Sequence, residues 1–595
     1  MSRVHKSGNN SAVIERMFST AMGAFIASNL TTAIGPTVDG IIVGSYYNVD
    51  EVAAIGLTSF LLVGYRTIST SIIARGGHVM ASGRIGAGDK EGANRIFSQS
   101  VIMSLAAALI LSLLSIVFSR QIAVLVGARG GIAHLMQPAS DYLRGYCIGL
   151  PFFAATYILT PFVQMDGDYK IVVTSSGVMT VVDIVADLFV VKITHGGLFQ
   201  IGLATAAGYA ASFLVVLSHF ILKSSFFRFQ TKEIRLSECR EILITGMPTG
   251  VVKLSNTFCG ITINHMLAIS FTSEVIAALS VGNQVLKFCF SLWLGAASTL
   301  LSFSSMFFGE QDRDALRDVQ AIAVRKGLMT TCSAAAAVFI FAGHLGHLFL
   351  RNGDAATMKM AVESIRFFAL SMPMNVFIYC FQSYLIGAGR RLYANIYSFI
   401  LDFGLPVPLT AAFLFGLGYR GAWAAKPFIN VAVIMAAVLY IMRQKGKNFR
   451  EKMLLLPADF GVLPENELCF EGDSMFDVMG ISRIAVAFAL EKGFEKHKAE
   501  IVSLAVEEMA GNIVQHGFTD GRPHHVHIRM LAKGDELILR FRDDGIPFDP
   551  VEKYRKELQY ESDPEKGPAI KMMMKLAKDV KYTGLYGMNN LIIHI

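Results

Sequence analysis

Three residues recur every fourth position near the end of the chain: Glu508, Asn512 and His516. On a helix, that spacing puts a carboxylate, an amide and an imidazole on one face. Magnesium takes oxygen ligands, so an Asn carbonyl beside a carboxylate suits a Mg²⁺–phosphate site. Further on, Asp543-Asp-Gly-Ile-Pro-Phe-Asp549 puts an acid just before a turn. A buried carboxylate there can accept from an adenine amino group, and Gly545 leaves room for a base to approach. A second set of acids stands inside apolar segments: Asp39, Asp183, Asp187 and Asp402. Asp183 and Asp187 are four apart and share a helix face. An acid at membrane depth costs about 2.5–3.5 kcal/mol by insertion scales and usually has a task. A carboxyl that can hold or release a proton is what ion-driven transport needs.

The elements that must position these residues fall into two solvents. Only 17% of the 595 residues are charged and 53% are hydrophobic. A soluble protein is closer to a quarter charged, so most of this chain belongs in lipid. A helix needs roughly 20 mostly apolar residues to cross the hydrocarbon core. About twelve segments qualify: 17–38, 52–74, 98–118, 142–163, 170–191, 200–222, 242–271, 275–308, 328–350, 365–386, 393–415 and 422–442. Near Lys445 the composition turns polar, and 443–467 reads as a basic linker. Residues 468–595 read as one soluble domain of short strands and amphipathic helices, an α+β sandwich. Its second helix, His497 to His516, carries Glu508 and Asn512. Its strand Glu536–Asp543 ends on the turn acid.

Lys and Arg are distributed unevenly between the loops. On the side of the even-numbered crossings lie Arg75, Arg84, Lys90, Arg95, Lys223, Arg228, Arg313, Arg317, Arg325, Arg390 and Arg443 among others. The opposite side offers few, such as Arg120, Lys192 and Arg420. This bias predicts a multi-pass protein of the inner membrane with both termini in the cytosol, where ATP is. The net charge of +7 is modest and spread over these loops, so no nucleic-acid partner is expected. The seven cysteines form no metal-binding or disulfide spacing, and residues 1–16 lack a signal-peptide core.

The two halves of the membrane part repeat. Val52-Ala-Ala-Ile-Gly56 matches Ile276-Ala-Ala-Leu-Ser280, and Gly86-Ala-Gly-Asp-Lys90 matches Gly309-Glu-Gln-Asp-Arg313. Gln164-Met-Asp-Gly-Asp168 matches Leu385-Ile-Gly-Ala-Gly389. Two six-helix lobes, 17–222 and 242–442, joined by a basic linker over 223–241, read as a duplicated transporter.

At these residues the chain resembles a known family. Thr37-Val-Asp39-Gly-Ile-Ile-Val-Gly44, Ala53-Ala-Ile-Gly56 and Gly86-Ala-Gly-Asp89 are similar to the amino-terminal signature of MATE (multidrug and toxic compound extrusion) transporters. The resemblance runs from about Met17 to Met442. It implies export of bulky, often cationic organic compounds, driven by an inward H⁺ or Na⁺ gradient. Flippases of lipid-linked sugars share the architecture, and Arg66, Lys253 and Lys287 at membrane depth keep that alternative open. The resemblance also implies that Asp39 and Asp187 belong to the ion-linked cluster of the first lobe. Asp183 stands where the family often has Asn, and Leu188 where it often has Pro. The second lobe has no copy of the cluster, and Asp402 is its one acid of this kind.

Residues 468–595 resemble a GHKL-type (histidine-kinase-like) ATPase, above all the anti-sigma-factor serine kinases. That resemblance implies ATP and Mg²⁺, with Glu508 activating the attacking group, Asn512 holding Mg²⁺ and Asp543 reading adenine. His516, Gly545 and Gly567 complete the expected nucleotide site. The family's Gly-x-Gly phosphate box is here Gly567-Pro-Ala569, and Pro568 removes an N–H donor. No GxxxxGK[ST] loop is present, so the domain is expected to regulate, or to phosphorylate a protein serine, rather than drive transport. A membrane-anchored signalling kinase with a transporter-like sensor is the alternative.

Overall fold

The computed structural model describes residues 11–47, 49–126, 134–222, 225–230, 235–270, 273–349, 355–444, 448–457, 460–552, 554 and 568–595. The membrane part consists of twelve long helical rods among the described residues. In the first lobe α1 is Ser11–Tyr46, and α2 joins Val49–Arg66 to Ile72–Gly86 through a π turn, Thr67–Ser71. Then come α3 (Lys90–Val117), α4 (Met136–Met165), α5 (Tyr169–Phe189, extended by a π turn, Val190–Thr194) and α6 (Leu198–Leu222). The second lobe holds α7 (Leu236–Ser270), α8 (Ser273–Gly309), α9 (Arg313–Ile340) and α10 (Ala355–Gly387). It ends with α11 (Arg391–Phe399, a π turn Ile400–Gly404, and Pro406–Leu417) and α12 (Gly421–Met442). Nine stretches among the described residues are long and apolar enough to cross a membrane, the last holding both α11 and α12.

The repeat is visible in the backbone. Asp89 caps α3 by accepting from the Gly92 N–H (2.8 Å), and Asp312 caps α9 by accepting from that of Ala315 (2.9 Å). The preceding Gly88 and Gln311 both have positive φ, at 77° and 54°. The other repeated loop needs a shift of one residue from the sequence alignment. The Asp168 N–H donates to Val163 and that of Arg390 to Leu385, so Gly167 pairs with Gly389, both left-handed.

Helix α2 runs further than the sequence predicts. Its apolar count ends before Arg75, yet the helix continues to Gly86. Arg75 therefore lies inside the rod rather than in a loop. The reason is packing: on Ile72–Gly86, α2 meets α7 and α8 of the other lobe at backbone contact. A Cβ on Gly76 would stand 1.9 Å from the Ile242 carbonyl oxygen, and one on Gly309 would stand 2.1 Å from that of Gly83. The other half, Val49–Arg66, packs mainly on α4 of its own lobe. The lobes are thus closed together at the end of α2 that carries the Gly86–Asp89 loop, and a cavity lies between them beyond that closure.

The soluble domain is an antiparallel sheet covered by helices. Its strands are β1 (Glu467–Gly472), β2 (Val526–Lys533), β3 (Glu536–Asp543), β4 (Asp579–Leu585) and β5 (Met588–His594), in the order β1-β2-β3-β5-β4. Helices α13 (Met475–Glu491), α14 (Lys496–Asn512) and α15 (Pro568–Leu576) complete it. Val478 and Ile481 of α13, and Val502 and Met509 of α14, pack on Ile528, Leu539, Phe541 and Ile593 of the sheet. Alternation along an antiparallel strand normally leaves the opposite face to water. Here that face is buried too: Arg529 and Arg542 are each 1% exposed. What covers it is the membrane part.

Candidate functional site

The cavity between the lobes has a volume of about 820 Å³, within the usual range for small-molecule sites. Asp39 of α1, with Asp183 and Asp187 of α5, lines it. One carboxylate oxygen from each lies within 4.8 Å of the others. Asp187 is fully buried, and among the described residues neither of its oxygens has a hydrogen-bond partner. Neither Asp183 Oδ1 nor Asp39 Oδ1 has one either. Buried carboxylate oxygens that no protein donor satisfies are costly, and a proton or a cation would relieve them. Asp402 does not join them. It sits in the α11 π turn, where it accepts from Asn256 Nδ2 (3.0 Å) of α7. Basic residues line the same cavity as the acid trio: Arg66 and Arg75 of α2, Lys253 of α7 and Lys287 of α8. Arg75 was not legible as a cavity residue, because charge at a helix end reads as loop.

The second site is on the soluble domain. Asp543 ends β3 and is 3% exposed. Its Oδ1 accepts from the Gly545 N–H (2.9 Å) and from Asn589 Nδ2 (2.8 Å), which leaves Oδ2 as the free acceptor. Burial pushes this carboxyl up to about 6, against the pull of those two donors. Asp543 shares a small apolar cavity with Asn512, Met509, Ile513, Phe548 and Tyr582. Asn512 Nδ2 donates to the Glu508 carbonyl (2.6 Å), so its Oδ1 is the atom left for a cation. That fits a Mg²⁺ ligand. Glu508 lies one turn earlier on α14 and is half-buried. His516 is exposed on a π turn, Ile513–Gly517, and is not among the residues lining the cavity. The wider turn breaks the regular α spacing on which its inclusion rested. Gly545 is needed for a neighbour other than a base: a Cβ there would stand 2.7 Å from the Gly517 carbonyl oxygen. Gly567 lies outside the described residues. Asn589 and Tyr582, whose hydroxyl donates to Asn589 Oδ1 (2.8 Å), were missed by the sequence reading. They come from β4 and β5, and only the fold brings them to Asp543.

Between the two sites lies an interface. On the outer face of the sheet, Arg540 Nη1 is 2.7 Å from Glu310 Oε2, and Arg542 pairs with both Glu310 and Asp312. Arg529 pairs with Glu467 of β1 and with Asp312 (3.6 Å). Three buried guanidinium groups thus meet three carboxylates. Burial pushes Asp312 up, but Arg529 and Arg542 outweigh it and hold the carboxyl well below its usual range. His527, buried among the same arginines, is pushed down to about 3 and stays neutral. At the tip of the β4–β5 hairpin, Leu585, Tyr586 and Met588 belong to the same continuous apolar core as Phe18, Phe162 and Phe303 of the membrane helices. The Tyr586 N–H donates to the Met165 carbonyl (2.6 Å), and its ring stacks on Phe303. Asp544 pairs with Arg16 of α1 (2.6 Å).

Two lobes of six helices around an acid-bearing cavity, with an α+β sandwich docked at their closed end, define a two-lobe membrane transporter carrying an ATPase-like domain. Residues 24–189 and 248–411 match the family model MatE, and residues 476–593 match one described as a histidine kinase-like ATPase domain. The chain belongs to the MatE family. It is 22% identical over 448 residues to the probable multidrug resistance protein YoeA of Bacillus subtilis (strain 168), covering 72% of this chain and 94% of that one. It is 23% identical over 367 residues to the multidrug export protein MepA of Staphylococcus aureus (strain NCTC 8325 / PS 47), covering 61% and 79%. Among solved structures, an outward-facing multidrug resistance MATE family transporter of the MOP superfamily superposes with a TM-score of 0.68 at 18% identity, over 72% of this chain and 95% of that one.

Proposed function

We propose that this protein is an ion-coupled antiporter that exports bulky organic compounds, and that its docked ATPase-like domain binds ATP and regulates it. The observation that carries the transport reading is the Asp39–Asp183–Asp187 cluster, with Asp187 fully buried and, among the described residues, unpartnered. H⁺ or Na⁺ occupies this cluster in one half of the cycle, and the compound leaves in the other. The lobes are assigned to 17–222 and 242–442, and the regulatory domain to 468–595. The loops facing that domain carry the Lys/Arg excess, which supports a cytosolic domain, cytosolic termini and the inner membrane. The regulatory reading rests on β3: Asp543 faces the nucleotide cavity while the adjacent Arg542 faces Glu310 and Asp312. Asp543 and Asn512 would hold ATP and its Mg²⁺, and binding there would act through β3 on the Arg542 contacts with Glu310 and Asp312 at the closed end of the lobes. The test is dye uptake by proteoliposomes under an imposed H⁺ or Na⁺ gradient, with and without ATP. Equal uptake by Asp187→Asn and wild type would remove the coupling claim.

A further inference from the structure

The cavity holds two sets of charge that do not neutralise one another. The acids sit together on α1 and α5. The cations come from both lobes: Arg66 and Arg75 from the first, Lys253 and Lys287 from the second. Among the described residues none of these four cations makes an ion pair. The Phe153 ring lies 5.8 Å from the Arg66 guanidinium carbon. Both lysines are exposed to the cavity. Unpaired cations at membrane depth are costly and mark a pathway or a ligand. Formally, four positive charges face three carboxylates. When one H⁺ or Na⁺ is held by the acids, four face two. The cavity is therefore positive throughout the cycle.

Resting on the antiporter reading, we propose that the exported compound is an anionic amphiphile: an apolar body bearing a carboxylate, sulfonate or phosphate. Its anion binds between Arg66 and Arg75 on one lobe and Lys253 and Lys287 on the other. Its apolar body lies along the aromatic side of α4, at Tyr146, Phe153 and Tyr157. This replaces the cationic substrate that the family resemblance implies. It also gives substrate a mechanical role, because one anion bridging both lobes draws them together. A cationic compound would meet four like charges and could engage only the acid trio, in competition with the coupling ion.

Two dyes with the same xanthylium core test this: sulforhodamine B, which is net anionic, and tetramethylrhodamine methyl ester, which is net cationic. Binding to the full chain in phosphatidylcholine nanodiscs is measured against empty discs. The expected result is sulforhodamine B bound at least about tenfold more tightly than the ester. Lys253→Gln and Lys287→Gln each weaken sulforhodamine binding roughly tenfold, the usual scale of one charge-assisted contact, while Lys→Arg at either position retains it. These lysines face the cavity, so their loss leaves the fold intact; Arg66→Gln is a third variant on the other lobe. Phosphatidylglycerol added to the discs displaces the dye if the natural anion is a lipid headgroup, and leaves it bound if the anion is a soluble amphiphile. Either result supports an anion site. Tighter binding of the ester, no sulforhodamine binding above empty discs, or unchanged binding in all three glutamine variants would overturn the proposal. Ion-driven uptake is scored separately. A cationic preference with coupling intact sinks only the anionic substrate, and an anionic preference without coupling sinks only the antiporter.

Discussion

The Tyr586 hydroxyl lies 3.1 Å from Nε2 of His78, although 508 residues separate them in sequence. Tyr586 is the tip of a hairpin in the ATPase-like domain, and His78 lines the transport cavity. Ser82 (3.3 Å from the hydroxyl) and Ser302 (3.2 Å from the imidazole) complete the group, so one side chain of the soluble domain bridges both lobes. The floor of the cavity and the ATPase-like domain share a hydrogen-bond network.

Tyr586→Phe keeps the ring on Phe303 and loses only the hydroxyl, at a cost of about 1–2 kcal/mol. Tyr586→Ala leaves a buried void and costs about 3–5 kcal/mol. If the hairpin transmits nucleotide state, ATP changes the initial rate of dye uptake in the wild type and in the Phe variant, and leaves the Ala variant unchanged. Identical ATP responses in all three would exclude the hairpin as the route.

The ion cluster makes a separate demand. Arg542→Ala leaves Glu310 and Asp312 buried with fewer counter-charges, and losing one partner of such a group costs about 3–5 kcal/mol. Undocking then dominates, and amide hydrogen exchange in the hairpin rises roughly hundredfold or more. The sign for pH follows from Asp312, whose carboxyl is held below its usual range. Its stabilising contribution is present above about pH 4 and is lost only as pH falls further, through the depressed value. Asp312 therefore adds no pH dependence to hairpin protection between about pH 5 and 8. In an Asp543→Asn background, which removes a carboxyl that does titrate in that window, a fall in protection there would contradict the assignment.

Asp543 behaves in the opposite sense. Its carboxyl is pushed up to about 6 by burial. The protonated form is favoured in the fold, so this group's stabilising term is fully present below about pH 4 and is lost as pH rises through 6. Accepting from an adenine amino group needs the ionised form. ATP affinity of the full chain should therefore fall as pH drops through about 6, and Asp543→Ala should lose at least tenfold at neutral pH. Calorimetric titration across this range would show a flat affinity if Asp543 does not read the base.

Much of this architecture was legible in the sequence, for a physical reason. Apolar runs long enough to cross a bilayer are unambiguous, and β3 runs over Glu536–Asp543 as its alternation predicts. Periodicity put Asn512 on a helix and Asp543 at a strand end, and the GHKL resemblance implied the single cavity that both line. The docking face did not. Arg529, Arg540 and Arg542 alternate with apolar residues as on any solvated strand, and Glu310 and Asp312 look like ordinary loop charges. Only contact between the two domains turns these five side chains into a buried cluster. The π turn at Ile513–Gly517 leaves no clear mark in sequence either, and so His516 was grouped with residues whose cavity it does not line.

A backbone contact stands beside the Asp543 cavity. The Ile546 N–H donates to the Gly517 carbonyl (2.9 Å), and a Cβ on Gly545 would crowd the same oxygen at 2.7 Å. Gly545→Ala must push the Asp543 turn away from the end of α14, at an overpacking cost of about 1–3 kcal/mol. That displacement separates Asp543 from Asn512, which line one cavity. ATP binding should weaken at least tenfold while ion-driven uptake without ATP stays at the wild-type rate, because the acid trio is untouched. Loss of both together would mean that the soluble domain is needed to hold the lobes in a working shape, rather than to regulate a transporter already complete.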